Sequence, residues 1–229
     1  MSKQHAAKQT ADHCAQLAQE NCWLWNAPNG PGADAPLTLI LAHGAGAPMD
    51  SDFMNDIATR LAALGVGVLR FEFPYMAQRR TDGRRRPPNP QPKLLECWHE
   101  VYANVRAGAS GRVAIGGKSM GGRMASVIAD DVKADGLFCL GYPFYAAGKP
   151  EKPRVAHLAE LRTPTLIAQG ERDALGNRET VEGYELSKAI EVHWVPTANH
   201  DLKPLKSSGL SGETCMQEIA ELMARRLIG

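Results

Sequence analysis

The residues best suited to covalent chemistry lie in the glycine-rich stretch 116–123, where the pattern Gly-x-Ser-x-Gly is centred on Ser119. An apolar run precedes this stretch and a segment of helical composition follows it. In a tight strand-to-helix turn the serine backbone is strained, and its neighbours two positions away are glycines because strand and helix pass too close for side chains. The hydroxyl then lies at the end of a strand, beside the free N–H groups of a helix start. The stretch therefore predicts a serine nucleophile.

Two other interpretations compete for the same stretch. A phosphate-binding loop has the pattern Gly-x-x-x-x-Gly-Lys-Ser/Thr, and its first glycine would stand six residues before Lys118. Arg112 occupies that position, so the phosphate-loop pattern fails. A glycine-rich turn without chemistry is the second interpretation, since the bare serine pattern occurs by chance in roughly one chain in ten of this composition. The strand before Ser119 and the helix after it favour the nucleophile.

A serine hydroxyl is a weak nucleophile, so the chemistry also requires a histidine that takes its proton and a carboxylate that orients the histidine. In parallel sheets that carry a serine at such a strand-to-helix turn, the acid and then the histidine follow the serine along the chain, each in a loop after a strand. Asp173 and His200 meet this requirement, because each follows an apolar strand candidate. Glu171 is an alternative acid, and His193 is expected to pack within a strand. A solvated turn aspartate and a surface histidine are the alternatives without chemistry.

A fourth component is a pair of backbone N–H groups that face the negative charge of the tetrahedral intermediate. The amide of Met120, directly after the serine, is one predicted donor. The sequence His-Gly-Ala-Gly at 43–46 follows the first buried strand candidate, and we predict Ala45 as the second donor because its glycine neighbours let the backbone turn inward. His43 is expected to organise this loop and is also a candidate substrate contact.

Apolar runs of strand length alternate with segments of helical periodicity along the chain. The predicted strands are 22–25, 37–42, 66–71, 112–116, 137–140, 164–169 and 190–195, and helices are predicted near 51–64, 94–106, 124–129, 177–187 and 211–227. This alternation predicts one α/β domain over 1–229, with a doubly wound, mostly parallel sheet covered on both faces. Five prolines predict that 72–93 forms neither helix nor central strand, and 1–20 is a helix or a loose arm.

The bulk composition is that of an ordinary globular protein, with 229 residues, 44% hydrophobic, 22% charged and a formal net charge of +1. This balance predicts no general affinity for nucleic acid or membranes. The five cysteines include no C-x-x-C pair, which indicates reduced thiols rather than a disulfide framework or a zinc site. The first 19 residues contain no apolar segment, so we expect no signal peptide and a cytoplasmic location. The predicted chemistry requires no metal or cofactor.

Several of these motifs together resemble the α/β-hydrolase superfamily, and more narrowly the small bacterial dienelactone-hydrolase-like proteins and predicted carboxylesterases. The motifs that carry the resemblance are 43–46, Phe73-Pro74-Tyr75, 116–123, Gly141-Tyr142-Pro143, 169–173 and Asn199-His200. The resemblance implies that Ser119 is the nucleophile, Asp173 the acid and His200 the base. Dienelactone hydrolases use a cysteine nucleophile, so the serine found here does not support their lactone substrate.

These inferences predict a serine hydrolase that cleaves a small carboxylic ester or thioester through an acyl-enzyme. A binding module with the same fold but no catalysis is the alternative. The connection 142–162 carries three prolines and is too short for a substantial lid, so we expect an open cleft. Tyr142, Phe144 and Tyr145 are candidates to line this cleft, with ordinary packing as the alternative.

The loop 78–86 contains five arginines and one aspartate. A solvated, flexible loop is one interpretation of this composition. The other is a basic rim, extended by Lys149, Lys152 and Arg154, that attracts an anionic ester or an acidic partner. Binding of nucleic acid is not expected, because neither interleaved aromatic residues nor a recognition helix accompanies the arginines.

Overall fold

The computed structural model describes residues 3–30, 33 and 37–228, and across them seven strands form one sheet in the order β1-β3-β2-β4-β5-β6-β7. The strands are β1 (Leu24–Asn26), β2 (Leu37–Ala42), β3 (Gly67–Phe71), β4 (Arg112–Lys118), β5 (Leu137–Leu140), β6 (Thr165–Gly170) and β7 (Ile190–Val195). The helices are α1 (Lys3–Asn21), α2 (Asp52–Ala63), α3 (Pro74–Asp82), α4 (Gln91–Gly108), α5 (Met120–Ile128), α6 (Arg178–Val181) and α7 (Gly212–Ile228).

The sheet is parallel apart from β1, which pairs antiparallel with β3. Strands β2 and β6 are buried along their whole length, as continuous apolar runs predict. The predicted doubly wound, mostly parallel sheet of the α/β-hydrolase fold is confirmed. The loops that contain Ser119, Asp173 and His200 leave the carboxyl ends of β4, β6 and β7. Because carboxyl ends of parallel strands share one edge, the sheet brings these three distant loops together.

Helices cover both faces of the sheet and give it two hydrophobic cores. On one face α1, α4 and α5 pack together, and the ring of Trp98 in α4 lies against Phe71 of β3 with centroids 4.8 Å apart. On the other face α2 contacts α7, and Leu61 and Ile219 are buried there. Burial of one such side chain contributes about 1.5–3 kcal/mol to the stability of the fold. The two cores therefore stabilise the sheet from which the loops of the site leave.

The prediction of an irregular segment over 72–93 is wrong for 74–82 and for 91–93, where helix α4 begins with Pro92 in its first turn. Residues 74–82 form α3, which begins with Pro74. A proline in the first helical turn breaks no hydrogen bond, because the N–H groups there have no acceptor within the helix. Gly83 then ends the helix in the left-handed conformation, with φ of 70°. The remaining prolines lie outside α3, so they do not interrupt it.

The helix predicted over 177–187 is also wrong in its length. Only α6 is helical, and the side chain of Asn177 caps it by accepting a hydrogen bond from the N–H of Thr180 at 2.9 Å. The N–H of Gly183 then donates to the carbonyl oxygen of Thr180 in a turn, and the low helix propensity of glycine favours this end. At the N-terminus, where a helix or a loose arm was predicted, the structure has helix α1.

The turn from β4 to α5 depends on two glycines that permit a close approach to β2. A Cβ atom at Gly121 would lie 2.5 Å from the carbonyl oxygen of Ala42 and 2.6 Å from that of His43. A Cβ atom at Gly117 would lie 2.4 Å from the same Ala42 oxygen. Backbone atoms at the end of a paired central strand cannot move aside without breaking sheet hydrogen bonds. The packing of α5 on β2 therefore requires both glycines of the serine pattern.

His43 connects the ends of β2 and β3 beside this turn. Its Nε2 accepts a hydrogen bond from the N–H of Phe73 at 3.2 Å, so the proton lies on Nδ1, which donates to the carbonyl oxygen of Gly44 at 2.7 Å. The ring is buried and contacts the rings of Phe73 and Tyr75. Burial lowers the pKa of His43, an effect larger than the opposing one of the hydrogen bond to Gly44. The folded protein therefore favours the neutral imidazole, which organises this loop.

We predict that the alanine variant of Gly121 loses about 3 kcal/mol of unfolding free energy, because its methyl group collides with backbone carbonyls of β2. Gly212→Ala is the matched control, since its Cβ would lie 3.9 Å from Cδ of Pro204 and alanine favours helix α7. Urea unfolding of both variants gives the two free energies. Equal stabilities of Gly121→Ala and Gly212→Ala would contradict the packing argument.

We also predict that His43 makes stability depend on pH. Because its folded-state pKa lies below the ordinary value of 6.5, the unfolded chain takes up a proton at a pH where the folded chain does not. The unfolding free energy therefore decreases as the pH falls through this window, by up to about 1.4 kcal/mol per pH unit. His43→Gln lacks this contribution, so its stability should vary less between about pH 7 and 5. Denaturant unfolding across that range tests the prediction, which parallel curves for the two proteins would overturn.

Candidate active site

Ser119 lies at the turn from β4 to α5 with φ of 51° and ψ of −117°, a conformation that residues other than glycine rarely adopt. Such strain costs about 1–3 kcal/mol and persists only where neighbouring contacts hold it. Here the N–H of Ser119 donates to the carbonyl oxygen of Leu140 at 3.0 Å, and its own carbonyl accepts from the N–H of Arg123 at 3.0 Å. The turn therefore presents the hydroxyl at the carboxyl edge of the sheet.

Hydrogen bonds join the three residues that were predicted to act together. The Nε2 atom of His200 lies 2.9 Å from Oγ of Ser119, and Nδ1 of His200 lies 2.7 Å from Oδ2 of Asp173. A carboxylate can only accept, so Nδ1 carries the proton and the Nε2 lone pair faces the serine hydroxyl. This arrangement can take up the serine proton while the carboxylate stabilises the charged imidazole.

Asp173 is fully buried, and both of its carboxylate oxygens accept hydrogen bonds. The side-chain amide of Gln169 donates to Oδ2 at 2.8 Å, and the N–H of Leu175 donates to Oδ1 at 2.8 Å. These bonds offset the cost of removing the carboxylate from water. The alternative acid, Glu171, accepts a hydrogen bond from the N–H of Thr197 instead of an imidazole proton. The structure thus pairs the histidine with Asp173.

Lys118 fastens the loop that carries His200 to the serine turn. Its Nζ donates to the carbonyl oxygen of His200 at 2.8 Å, and it lies 3.4 Å from Oδ1 of Asp201 and 5.4 Å from the centre of the Phe53 ring. The side chain is buried, and desolvation lowers its pKa while Asp201 raises it. Nothing in the sequence pattern except its position beside the serine indicates this contact.

A cleft of about 510 Å³ opens beside the Ser119 hydroxyl. Its lining consists of Ala45, Pro88, Asn89, Gln91, Leu94, Ser119, Met120, Arg123, Met124, Pro143, Arg154 and Leu175. The connection 142–162 contributes only one short helical turn, Ala156–Leu158, within the residues described. The expectation of a fold without a substantial lid is therefore confirmed.

The two amides predicted as an oxyanion hole both border this cleft. Met120 is the first residue of α5, so its N–H has no acceptor within the helix. The hydroxyl of Tyr75 donates to the carbonyl oxygen of Ala45 at 2.9 Å, which fixes the loop there. Within the described part of the chain, no group accepts a hydrogen bond from the N–H of Ala45 or of Met120. Both N–H groups are therefore free to donate to a ligand.

The four residues named as substrate contacts are buried away from the cleft surface. His43, Tyr142 and Phe144 have no exposed surface, and Tyr145 is 3% exposed. This corrects the expectation that these aromatic residues line the cleft. Their rings gain more by packing in the core, and their polar atoms find partners there, as when the hydroxyl of Tyr145 accepts from the N–H of Asn177. From the connection 142–162, Pro143 and Arg154 line the cleft instead.

A second serine–histidine contact, between Ser126 and His157, was not expected from the sequence. Oγ of Ser126 lies 2.8 Å from Nε2 of His157 and 3.1 Å from the hydroxyl of Tyr142. The Ser126 hydroxyl donates to the carbonyl oxygen of Arg123 at 2.7 Å, which uses its only proton. Among the described residues no carboxylate hydrogen-bonds His157, and Ser126 is 1% exposed. This pair therefore lacks both an orienting acid and access to a substrate.

The arginine-rich loop is less free than its composition suggests. Arg80 lies 2.6 Å from the carboxylates of both Glu72 and Asp50, and Arg86 pairs with Asp82. Residues 78–82 belong to helix α3, so the loop expected over 78–86 is confined to 83–86. Internal ion pairs also reduce the charge that a basic rim would offer to a ligand.

The described residues show neither a disulfide, nor a metal-binding cluster, nor a membrane-spanning helix. All five cysteines are unpaired, and no group of three His, Cys, Asp or Glu side chains in the described ranges is arranged to hold a metal ion. None of the helices described has both the length and the apolar character that crossing a membrane requires.

Comparison with known proteins places the chain among the hydrolases of this fold. No curated protein sequence gives a significant match. Among solved structures, an alpha-beta serine hydrolase homologue from Coxiella burnetii superposes with a TM-score of 0.68 at 21% identity, over 90% of each chain. A serine hydrolase without a lid from Xanthomonas campestris gives a TM-score of 0.64 at 19% identity, over 88% of each chain. A dienelactone hydrolase from Anabaena variabilis gives 0.63 at 20% identity, over 86% of each chain.

At these identities the similarity to solved structures shows a shared fold. The family comparison is more direct, because the family model described as an alpha/beta hydrolase domain matches residues 35–227. That range contains the whole sheet except β1 and every residue of the candidate site. The protein therefore belongs to the alpha/beta hydrolase domain family.

Proposed function

We propose that this protein is a serine hydrolase that cleaves a small carboxylic ester or thioester through an acyl-enzyme. The observation that carries the proposal is the hydrogen-bonded series from Asp173 through His200 to Ser119, which ends at a cleft. A buried carboxylate and a strained serine both cost stability. A catalytic role accounts for both costs at the same place.

In the first half of the reaction, the Ser119 oxygen attacks the carbonyl carbon of the substrate while Nε2 of His200 takes the hydroxyl proton. The carboxylate of Asp173 holds Nδ1–H and stabilises the imidazolium. When the tetrahedral intermediate collapses, the bond to the alcohol or thiol breaks and Nε2 gives its proton to that leaving group. The acyl group remains as an ester on Ser119.

In the second half, a water molecule takes the position of the leaving group. His200 removes a proton from the water as its oxygen attacks the acyl carbon. Collapse of the second intermediate breaks the bond to the Ser119 oxygen, which regains a proton from His200. The carboxylic acid leaves, and the enzyme returns to its starting state. Both halves combine acyl transfer with proton transfer, so the side chains suffice without a cofactor.

The N–H groups of Ala45 and Met120 are the proposed oxyanion hole. In each tetrahedral intermediate the former carbonyl oxygen becomes negative, and the loss of one aligned donor costs about 3–4 kcal/mol of transition-state stabilisation. Met120 also begins α5, and the N-terminus of a helix favours negative charge. Ala45 and Met120 line the same cleft as Ser119, which supports this assignment.

A non-catalytic binding module of the same fold is the rival proposal. Such a module would need neither a strained serine nor a histidine oriented by a buried carboxylate. The similar solved structures share 21% identity or less, so their activities do not transfer by likeness. The presence of a serine where dienelactone hydrolases have a cysteine also argues against their lactone. The side-chain geometry is what favours an enzyme.

The proposed substrate is a small molecule, because the cleft encloses only about 510 Å³. The formal net charge of +1 gives no reason to propose nucleic acid. Unpaired cysteines favour a reducing compartment, so we propose a cytoplasmic location.

A fluorophosphonate probe should label the wild type and fail to label Ser119→Ala, because the probe reacts only with an activated serine. Ser126→Ala is the matched control, since that serine also contacts a histidine, and it should keep labelling and hydrolysis of p-nitrophenyl acetate. Asp173→Asn should lower kcat by about 10³–10⁴-fold through loss of histidine orientation. An unlabelled, inactive wild type would favour the binding module. If only Ser126→Ala lost labelling, the nucleophile would be Ser126 and the assignment of Ser119 would be wrong.

Replacing Lys118 with methionine should lower kcat by about tenfold or more with little change in KM, because the His200 loop loses its tether while the cleft is unaltered. Lys203→Met removes an exposed lysine from the same loop and is the matched control. Steady-state kinetics with p-nitrophenyl acetate separate the two parameters. A rise in KM at unchanged kcat would contradict a positioning role for Lys118.

A further inference from the structure

Two arginine side chains line the cleft beside Ser119 without a carboxylate partner. Arg123 and Arg154 both belong to the cleft lining, which contains no aspartate or glutamate among the residues described. Neither guanidinium hydrogen-bonds or ion-pairs with another described residue, and Nε of Arg123 is buried with no partner at all. A buried atom of a charged group is costly to leave without a partner, so Arg123 lacks a contact that a ligand would supply, whereas Arg154 is exposed.

Elsewhere in the described chain, two other arginines differ from this pair because their guanidinium groups have oxygen partners, although Nε of Arg70 is also buried without one. Arg80 binds the carboxylates of Glu72 and Asp50, and the guanidinium of Arg70 donates to the carbonyl oxygen of Met49 at 2.8 Å and to other oxygens. Desolvation lowers the pKa of Arg123, as it does that of Arg70. For Arg123, Tyr142 raises the pKa and the charge of Arg154 lowers it. The two cleft arginines therefore repel each other, and an anion between them would relieve that repulsion.

Helix α5 fixes the position of Arg123 relative to the nucleophile. Arg123 follows Ser119 by one helical turn, and its N–H donates to the carbonyl oxygen of Ser119 at 3.0 Å. Arg154 is held by its own N–H, which donates to the carbonyl oxygen of Phe144 at 2.7 Å. The rest of the lining is largely apolar, through Pro88, Leu94, Met120, Met124, Pro143 and Leu175. The cleft lining thus combines apolar side chains with two arginines.

We propose that Arg123 and Arg154 form an anion subsite, and that the protein acts on esters with an apolar body and a carboxylate. This inference rests on the proposed function and names the substrate class of the same site. Guanidinium groups bind carboxylates through paired, charge-assisted hydrogen bonds, which set the position of a ligand as well as its affinity. A bound carboxylate would hold the ester carbonyl at a fixed distance from the Ser119 hydroxyl.

The subsite differs from the basic rim that the composition of loop 78–86 indicates. In that loop Arg80 and Arg86 are engaged in internal ion pairs, and the cleft lining includes none of its arginines. Arg154 is the one residue that belongs both to the predicted basic rim and to the proposed subsite. The exposed Arg84 and Arg85 are therefore suitable control positions, because their replacement removes the same charge outside the cleft.

Matched pairs of esters test the selectivity. Mono-p-nitrophenyl glutarate and p-nitrophenyl pentanoate differ in an anion on the acyl part, while 3-acetoxybenzoate and phenyl acetate differ in an anion on the leaving group. The wild type should prefer the anionic member of at least one pair in kcat/KM. In the Arg123→Gln/Arg154→Gln double variant that preference should fall at least about tenfold, with hydrolysis of the neutral member retained.

The Arg84→Gln/Arg85→Gln variant should keep the preference of the wild type. The proposal is overturned if neither pair shows a preference, or if the control variant loses it to the same extent. Circular dichroism of each variant confirms that the fold is intact before kinetics are compared.

A binding measurement separates this proposal from the proposed reaction. Calorimetric titration of Ser119→Ala with monomethyl glutarate and with 3-acetoxybenzoate should show binding that the added Arg123→Gln/Arg154→Gln changes abolish. Binding without any turnover by the wild type would overturn the proposed hydrolase and sustain the subsite. Turnover of neutral esters with no anion preference and no arginine-dependent binding would overturn the subsite alone.

Discussion

The close approach of helix α5 to the end of β2 is the constraint on which the rest of the site depends. The carbonyl oxygens of Ala42 and His43 occupy the space where side chains at positions 117 and 121 would stand. This contact forces Ser119 into its strained conformation and starts the helix at Met120. One backbone constraint thus sets the position of the proposed nucleophile and of one proposed oxyanion donor.

Buried polar groups then fix the loops that meet this turn. Gln169 is fully buried at the end of β6, accepts the N–H of Tyr142 at 2.7 Å and donates to Asp173 at 2.8 Å. Lys118 plays a similar part for the loop of His200. Leaving any of these groups unsatisfied would cost about 1–3 kcal/mol, so the loops have one favoured arrangement. The candidate site is therefore preorganised by residues that do not face the cleft.

The two serine–histidine pairs have nearly the same distance between serine oxygen and histidine nitrogen. Their surroundings therefore decide which of them can perform chemistry. The pair at Ser119 spans 2.9 Å and the pair at Ser126 spans 2.8 Å. Only the first has a carboxylate on the far nitrogen of the histidine and a serine proton directed at the near one. The second serine gives its proton to a backbone carbonyl within its own helix. Serine–histidine proximity alone would not have separated them.

The sequence by itself determined the fold class and the three loops of the candidate triad, because a nucleophile turn and strand-end positions depend on local spacing and on the shared edge of a parallel sheet. It did not determine which side chains line the cleft, and it predicted buried aromatics such as Tyr142 there. The contacts of Lys118 and the unpaired state of Arg123 and Arg154 were likewise decided by tertiary structure. Each depends on which groups from distant strands meet, and burial and hydrogen-bond partners exist only once the chain has folded.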